Sequence, residues 1–291
     1  MNITTIEELI ELAHEQECTI GEAILRQEAQ AQDITLDEAK AHMLLNWQVM
    51  KESIKQGLEH PKRSKGGLIG GEGKKLHDYC QKQQPLSGQK MANAVSYALA
   101  VAEVNATMGK IVACPTAGSC GIMPAVMLTA QQRLGLSDEQ VVLGLFTASA
   151  FGMVIAHKAS ISGAVCGCQA ECGSAAAMAS AASVELAGGT PEQAAHACAM
   201  VIKNVLGLVC DPVAGLVEVP CAKRNAMGTS LALVCADMAL AGIESVIPAD
   251  EVIEAMSDVG RSLPESLRET ALGGLAVTPT ALALAQKILQ S

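Results

Sequence analysis

Seven of the eleven cysteines in this 291-residue chain fall in three short irregular stretches. Cys114 and Cys120 frame the first, Cys166, Cys168 and Cys172 lie in the second, and Cys210 and Cys221 bound the third. A thiolate is a good ligand for a soft metal, and a buried thiol is equally an ordinary small core residue. Spacing alone leaves both readings open. No CxxC…CxxC zinc pattern occurs, and Cys166-Gly167-Cys168 is too tight for both sulfurs to serve one metal comfortably. The step from Cys166 to Cys172 is not a ferredoxin interval either. Cys18, Cys80, Cys198 and Cys235 sit in helical runs and read as packing.

The elements that must position these stretches are helices. Residues 4–57 are charged and periodic. Thr5 is placed to cap a first helix, with Glu8 completing a capping box before Leu9, Ile10 and Leu12. Residues 20–30 and 35–57 continue the pattern, with Leu36, Ala39, Met43 and Leu44 on one face. Residues 1–60 are therefore expected to form an N-terminal helical segment, a scaffold or an interface. The Gly-rich, basic loop from His60 to Gly71 follows. It either cradles an anion on its backbone N–H groups or serves as a solvated connector, and it fits neither a Walker A nor a dinucleotide fingerprint.

From about residue 90 the chain is rich in Ala, Gly and Met. Long apolar helical runs are broken at residues 114–121, 160–173 and 207–224, where cysteines and polar residues gather. A helical scaffold presenting a site on its loops has this pattern. Residues 109–114 and 213–219 look strand-like but are too few for a sheet. The expected fold is mainly α, with a helical core carrying the cysteines over residues 61–291 beneath the N-terminal helical layer.

Half of the residues are hydrophobic, 17% are charged and 2% are aromatic, so Ala, Val, Leu, Ile and Met must build the core. With a net charge of −10 and few aromatics, the chain lacks the footprint of a nucleic-acid binder. Mean hydropathy is +0.29, yet the most apolar run, residues 141–156, ends at His157 and Lys158 and falls short of the roughly 20 residues of a spanning helix. No membrane span is expected. The N-terminus opens into Glu7 and Glu8 rather than a basic and then apolar segment, so no secretory signal is expected and the expected location is cytoplasmic. Cysteines there are not expected to pair as disulfides.

The wording around the cysteines says more than their spacing. The stretch Gly163-Ala164-Val165-Cys166-Gly167-Cys168-Gln169-Ala170-Glu171, and the run from Leu208-Val209-Cys210-Asp211-Pro212 through Glu218-Val219-Pro220-Cys221 to Gly228, resemble the α chain of iron–sulfur L-serine dehydratases. Pro115-Thr116-Ala117-Gly118, Ser160-Ile161-Ser162-Gly163-Ala164 and Arg268-Glu269-Thr270-Ala271-Leu272-Gly273-Gly274 match the same family, and the motifs keep its order. The resemblance runs from the loop near residue 66 almost to the C-terminus. It implies a [4Fe–4S] cluster held by Cys168, Cys210 and Cys221, with Cys114, Cys120, Cys166 and Cys172 packing beside it. It implies a lyase of serine catabolism that converts L-serine to pyruvate and ammonia without pyridoxal phosphate. Some single-chain relatives carry a Cys near the C-terminus able to reach the open iron, whereas no Cys follows Cys235 here. Members are often split into an α chain and a β chain that completes the active site, so a heteromer with a β chain is expected.

Dehydrating serine means breaking a barely acidic Cα–H bond and expelling hydroxide, a poor leaving group. Three thiolate ligands leave one iron free to act as a Lewis acid on the substrate hydroxyl, and a fourth would block it. Around that site, Thr116, Gly118 and Ser119 are candidates to bind the serine carboxylate with hydroxyls and N–H groups. Arg224 is a second carboxylate candidate. Ser160 and Ser162 are candidates to contact substrate or cluster sulfur, although each of these residues could equally make a local turn or capping bond. His157 is the candidate base, since His is the commonest proton acceptor near neutral pH; a base on the β chain is the alternative. Asp211 reads as a loop-ordering residue. Two rival readings are a related lyase acting on threonine or cysteine, and a structural or sensing metal site saturated by four cysteines.

Overall fold

The computed structural model describes residues 3–290, so Met1 and Asn2 of the N-terminal segment and Ser291 of the remainder lie outside the described residues. Threonine caps organise the N-terminal layer. Helices α1 (Ile6–Glu15), α2 (Ile20–Gln32) and α3 (Leu36–Glu59) each start after a Thr, respectively Thr5, Thr19 and Thr35. In every case the hydroxyl accepts from the N–H of a Glu three residues on, and that Glu closes the box. Their apolar faces belong to the main core: Ile6, Leu9, Ile24, Trp47 and Met50 cluster with Val141 and Phe151 from further along the chain. Polar ties fix the seam. Trp47 Nε1 and Lys51 Nζ both donate to Asp138 (2.8 and 2.6 Å), and the half-buried Glu185 carboxylate caps α2 by accepting from the N–H groups of Ile20 and Gly21 (2.9 and 3.1 Å).

The Gly-rich loop leads to α4 (Glu72–Lys82) and α5 (Gln89–Ala106). It cradles an anion, and the anion is the protein's own Glu218, whose carboxylate accepts from Ser64 and from the N–H groups of Gly66 and Leu68. The remaining core helices are α6 (Ile122–Leu134), α7 (Asp138–Lys158), the single turn α8 (Gly163–Cys166), α9 (Ser174–Leu186), α10 (Pro191–Val205) and α11 (Cys221–Leu240). They are closed by α12 (Ala249–Ser262) and α13 (Pro279–Leu289).

Helix α9 is the axis. Every residue from Ser174 to Val184 is buried, and the helix packs against α6, α7, α10 and α11. A helix apolar on all sides belongs in the middle of a fold, and its Ala and Ser residues let neighbours approach closely. The same closeness is required where α3 meets α5, since a Cβ on Gly57 would lie 2.4 Å from the Ala100 carbonyl oxygen.

Helix α7 runs well beyond the 141–156 stretch and, at 21 residues, is long and apolar enough to cross a membrane. It is a core helix all the same, with 67% of its apolar window buried. Among the described residues no strand forms: 109–114 is irregular, 213–219 turns through a short 3₁₀ segment, and the ladder contact present is an isolated bridge between Cys210 and Arg268. All three cysteine-bearing stretches lie at one end of the bundle, where the chain leaves α7 and α10 and enters α6, α9 and α11.

Candidate metal centre

Cys168 stands at the entry to a wide π-helical turn, Gln169–Gly173, that runs into α9. Such turns are rare and occur often at functional sites. The buried Gln169 pins this one from both sides. Its Nε2 donates to the Met256 carbonyl of α12 (3.0 Å), its Oε1 accepts from Gly207 N–H (2.9 Å), and its backbone N–H donates to Leu208 O (3.0 Å). Cys168 is thereby held against the segment leading to Cys210. Cys210 donates its N–H to Leu267 O (2.8 Å), and its carbonyl accepts from Glu269 N–H (2.7 Å), so the Arg268–Gly274 stretch brackets it. Cys221 opens α11. One turn on, Asn225 accepts from Gly121 N–H (2.8 Å) and donates to the carbonyls of Gly118 (2.7 Å) and Cys221 (2.9 Å), drawing the 116–121 turn over the start of that helix.

Cys168, Cys210 and Cys221 are all buried and lie close enough that charge on one opposes ionisation of the others. Burial pushes the Cys221 thiol up to about 12, with Cys168 the next cause. Cys210 rises further for the same two reasons. Cys168 goes the other way: the Cys172 thiol donates to it and the Arg224 guanidinium favours its charge, which outweigh burial and lower its pKa. Cys172 rises correspondingly as the donor. Three helices begin at this end, and their N-termini favour anionic sulfur. Three buried thiols from separate segments, one of them disposed to ionise beside a cation, form a soft donor set that fits an iron–sulfur group.

Two further features complete the site. Glu171 lies in the π-turn with Oε2 4.0 Å from Cys210 Sγ. It also accepts a hydrogen bond from Thr116, and burial pushes its pKa up. Gly163 makes room, since a Cβ there would sit 2.7 Å from Glu171 Oε2 and 3.1 Å from Cys210 Sγ. Arg224 Nη2 donates to Asp211 Oδ1 (2.8 Å), and Asp211 Oδ2 accepts from Leu275 N–H (2.7 Å), so Asp211 ties the cysteine loop to the C-terminal stretch. Arg224 Nη1 is buried without a partner. Leaving a buried donor unmet costs about 1–3 kcal/mol, and this one points to an anionic guest.

Thr116 and Gly118 reach this site through Glu171 and Asn225, and Ser119 Oγ lies 3.2 Å from Thr116 Oγ1. Ser160 Oγ accepts from Ser162 N–H (3.1 Å), and the Ser162 carbonyl accepts from Cys166 N–H (2.9 Å). Those two serines shape the turn that delivers Gly163. His157 stands exposed on the last turn of α7, with no hydrogen bond or ion pair among the described residues. Its neighbour Lys158 pairs with Asp250 and Glu254 of α12 (3.5 and 2.6 Å). Cys166 packs against Gly260 of α12, Cys120 lies in the core and Cys114 at its edge.

Glu171, Cys172 and Asn225 did not stand out as site residues in the sequence. The available signal was a carboxylate and an amide inside otherwise small, apolar wording. A cleft of about 750 Å³ between α1, α2 and α7, lined by Leu12, Ile24 and Met153 together with Glu15, Gln27 and Glu28, contains no thiol and shares no residue with this centre.

The fold and site define an all-helical protein class with buried cysteines gathered on the loops at one end, and sequence comparison gives the family. The pattern described as "Serine dehydratase alpha chain" matches residues 15–276. The chain is 52% identical over 283 residues to the "Probable L-serine dehydratase, alpha chain" of Bacillus subtilis (strain 168), covering 97% of this chain and 94% of that one. It is 44% identical over 278 residues to the "L-serine dehydratase, alpha chain" of Peptoniphilus asaccharolyticus, covering 96% and 95%. To "L-serine dehydratase 1" of Escherichia coli (strain K12) it is 37% identical over 252 residues, which is 83% of this chain but 54% of that longer protein. The chain belongs to the serine dehydratase alpha chain family.

Proposed function

We propose that this is the cluster-bearing α chain of an L-serine dehydratase, which deaminates L-serine to pyruvate and ammonia. Cys168, Cys210 and Cys221 would hold a [4Fe–4S] cluster. The observation that carries this reading is the convergence of those three buried thiols beside an Arg224 whose Nη1 has no partner. When bound, the cluster supplies a Lewis-acidic iron that makes the β-hydroxyl a better leaving group.

The chain's own residues fit a zwitterionic amino acid. Arg224 Nη1 takes the substrate carboxylate, with the hydroxyls of Thr116 and Ser119 beside it. Glu171, an acceptor facing the same thiols, takes the ammonium group. Loss of the α-proton and of hydroxide, which leaves as water after protonation, gives aminoacrylate, and its tautomer hydrolyses to pyruvate and ammonia. We assign the proton acceptor to a β chain, since His157 has no contact with the thiols.

A two-chain enzyme is further supported by relatives named as alpha chains and by longer relatives named simply as L-serine dehydratases, of which this chain spans 52–60%. It is also supported by apolar surface beside the site. Leu272, Leu275, Val277 and Leu282 are exposed, and α13 packs on the 213–215 turn between two of the cysteines. Exposed apolar residues gathered in one stretch of chain suit an interaction site when they form a patch.

The test is anaerobic reconstitution with iron and sulfide, followed by a pyruvate assay on L-serine with and without the β chain. Cluster-dependent pyruvate, abolished by C168A, C210A or C221A, is the expected result. Failure of the parent chain to bind iron sinks the proposal.

A further inference from the structure

The segment that carries two of the three thiols has no regular structure of its own to hold it. Between Cys210 and Cys221 the backbone passes through a short 3₁₀ turn, with Ala214 in the left-handed region (φ 56°), and is tied internally by Val213 N–H to Val219 O (2.9 Å). Its two ends are anchored from elsewhere. At the Cys210 end, Asp211 is held by Arg224 and Leu275. At the Cys221 end, the anchor is Glu218, three residues before the cysteine and 3% exposed.

All the donors to the Glu218 carboxylate come from one loop some 150 residues earlier in the chain. Ser64 Oγ (2.5 Å) and Leu68 N–H (3.0 Å) donate to Oε2, and Gly66 N–H (2.8 Å) donates to Oε1. The loop is closed around that carboxylate by Ser64 N–H to Ile69 O and Gly67 N–H to Ser64 O (both 3.0 Å). Gly66 has no room for a side chain, because a Cβ would meet Leu216 Cδ1 at 2.5 Å and Glu218 Oε1 at 2.9 Å. Lys223 and Glu72 bridge α11 to α4 on the same side (2.5 Å).

We infer that Glu218 is a positioning residue for the metal centre: the 64–68 loop, gripping its carboxylate, holds the 213–221 segment so that Cys221 faces Cys168 and Cys210. The inference rests on the cluster reading above. A buried carboxylate met by three donors is held firmly in place, and no hydrogen bond among the described residues joins the loop that meets it to Cys168, Cys210 or Cys221. Its effect on them passes through Glu218. Groups that hold ligands in place typically change metal affinity about 10- to 100-fold when lost.

A matched control exists in the same chain. Glu185 is a half-buried carboxylate likewise met by two backbone N–H groups and a hydroxyl, those of Ile20, Gly21 and Thr147, but at the N-terminal layer. E218Q replaces one acceptor oxygen by an NH₂ that faces the loop's donors, and E185Q does the same to the control.

The experiment reconstitutes the full-length parent, E218Q, S64A and E185Q anaerobically. It measures iron and sulfide per chain, the cluster's visible and EPR spectra, the rate of cluster loss to a chelator, and thermal unfolding of each apo chain. For E218Q, cluster loss about 10- to 100-fold faster than in the parent is expected, with S64A intermediate and E185Q like the parent even where its apo chain unfolds earlier. Equal loss rates in E218Q and parent overturn the inference, as does E185Q accelerating cluster loss as much as E218Q. If E218Q does not fold, S64A against E185Q decides by the same criterion. A parent chain that takes up no iron refutes the cluster reading itself, an outcome separate from both.

Discussion

Arg224 is the residue where the proposed substrate recognition can be put to a number. Its guanidinium is divided: Nη2 is spent on Asp211 Oδ1 at 2.8 Å, while Nη1 is buried and unpartnered. Replacing Arg224 by Lys keeps one charge but removes the fork. A single ammonium at that place stays with Asp211, whose side chain is 4% exposed and could not be left without a cationic partner. The bond to a substrate carboxylate is then the one lost. A hydrogen bond to a charged group is worth about 1.5–3 kcal/mol, and about 1.4 kcal/mol is tenfold in an equilibrium constant. R224K should therefore raise KM for L-serine roughly 10- to 150-fold with a much smaller change in kcat, the pattern of lost uniform binding. The assay is steady-state pyruvate formation by the reconstituted two-chain enzyme, with iron per chain measured on the same sample. A KM within about twofold of the parent at full iron content would refute the assignment of Nη1 to the substrate carboxylate.

Glu171 is tested by E171Q, which keeps the side chain's shape and removes its charge. KM for L-serine should rise about tenfold, whereas inhibition by 3-hydroxypropionate, which has no ammonium group, should be unchanged; equal weakening of both ligands would refute the ammonium role. Asp138 joins α3 to α7, and hydrogen bonds from Lys51 and then Gln131 hold its pKa down at about 2, against an ordinary 3.8. That shift corresponds to about 2 kcal/mol, discounted to about 1 kcal/mol for a side chain one-third exposed. Because the folded value is depressed, the stabilisation is complete above about pH 4 and disappears as pH falls through about 2. Urea unfolding should show D138N less stable than the parent by about 1 kcal/mol at neutral pH, with the gap closing in acid; a gap independent of pH would show that the charge is not its source.

Much of this molecule was legible in the sequence because its signals are local. The Thr5 and Glu8 box needs only three residues of separation, and α1 starts where that box puts it. The apolar, small-residue run that became α9 shows its central burial by lacking any polar face. Spacing between the cysteines decided nothing, since ligands arriving from three separate segments obey no interval along the chain; only the family-like wording around them singled out Cys168, Cys210 and Cys221. What tertiary structure alone decided is pairing across long separations. The basic loop at 60–71 read equally as an anion cradle or a solvated connector, and nothing local could say that it grips Glu218. Glu171 read as one carboxylate among thirty acidic residues until folding set it 4.0 Å from a cysteine sulfur. His157 had the right residue type beside the right segment, and the last turn of α7 carries it to the surface. A side chain's chemistry is written in its type, but its pKa, its partner and its access to a substrate depend on distance and burial, which exist only once the chain has folded.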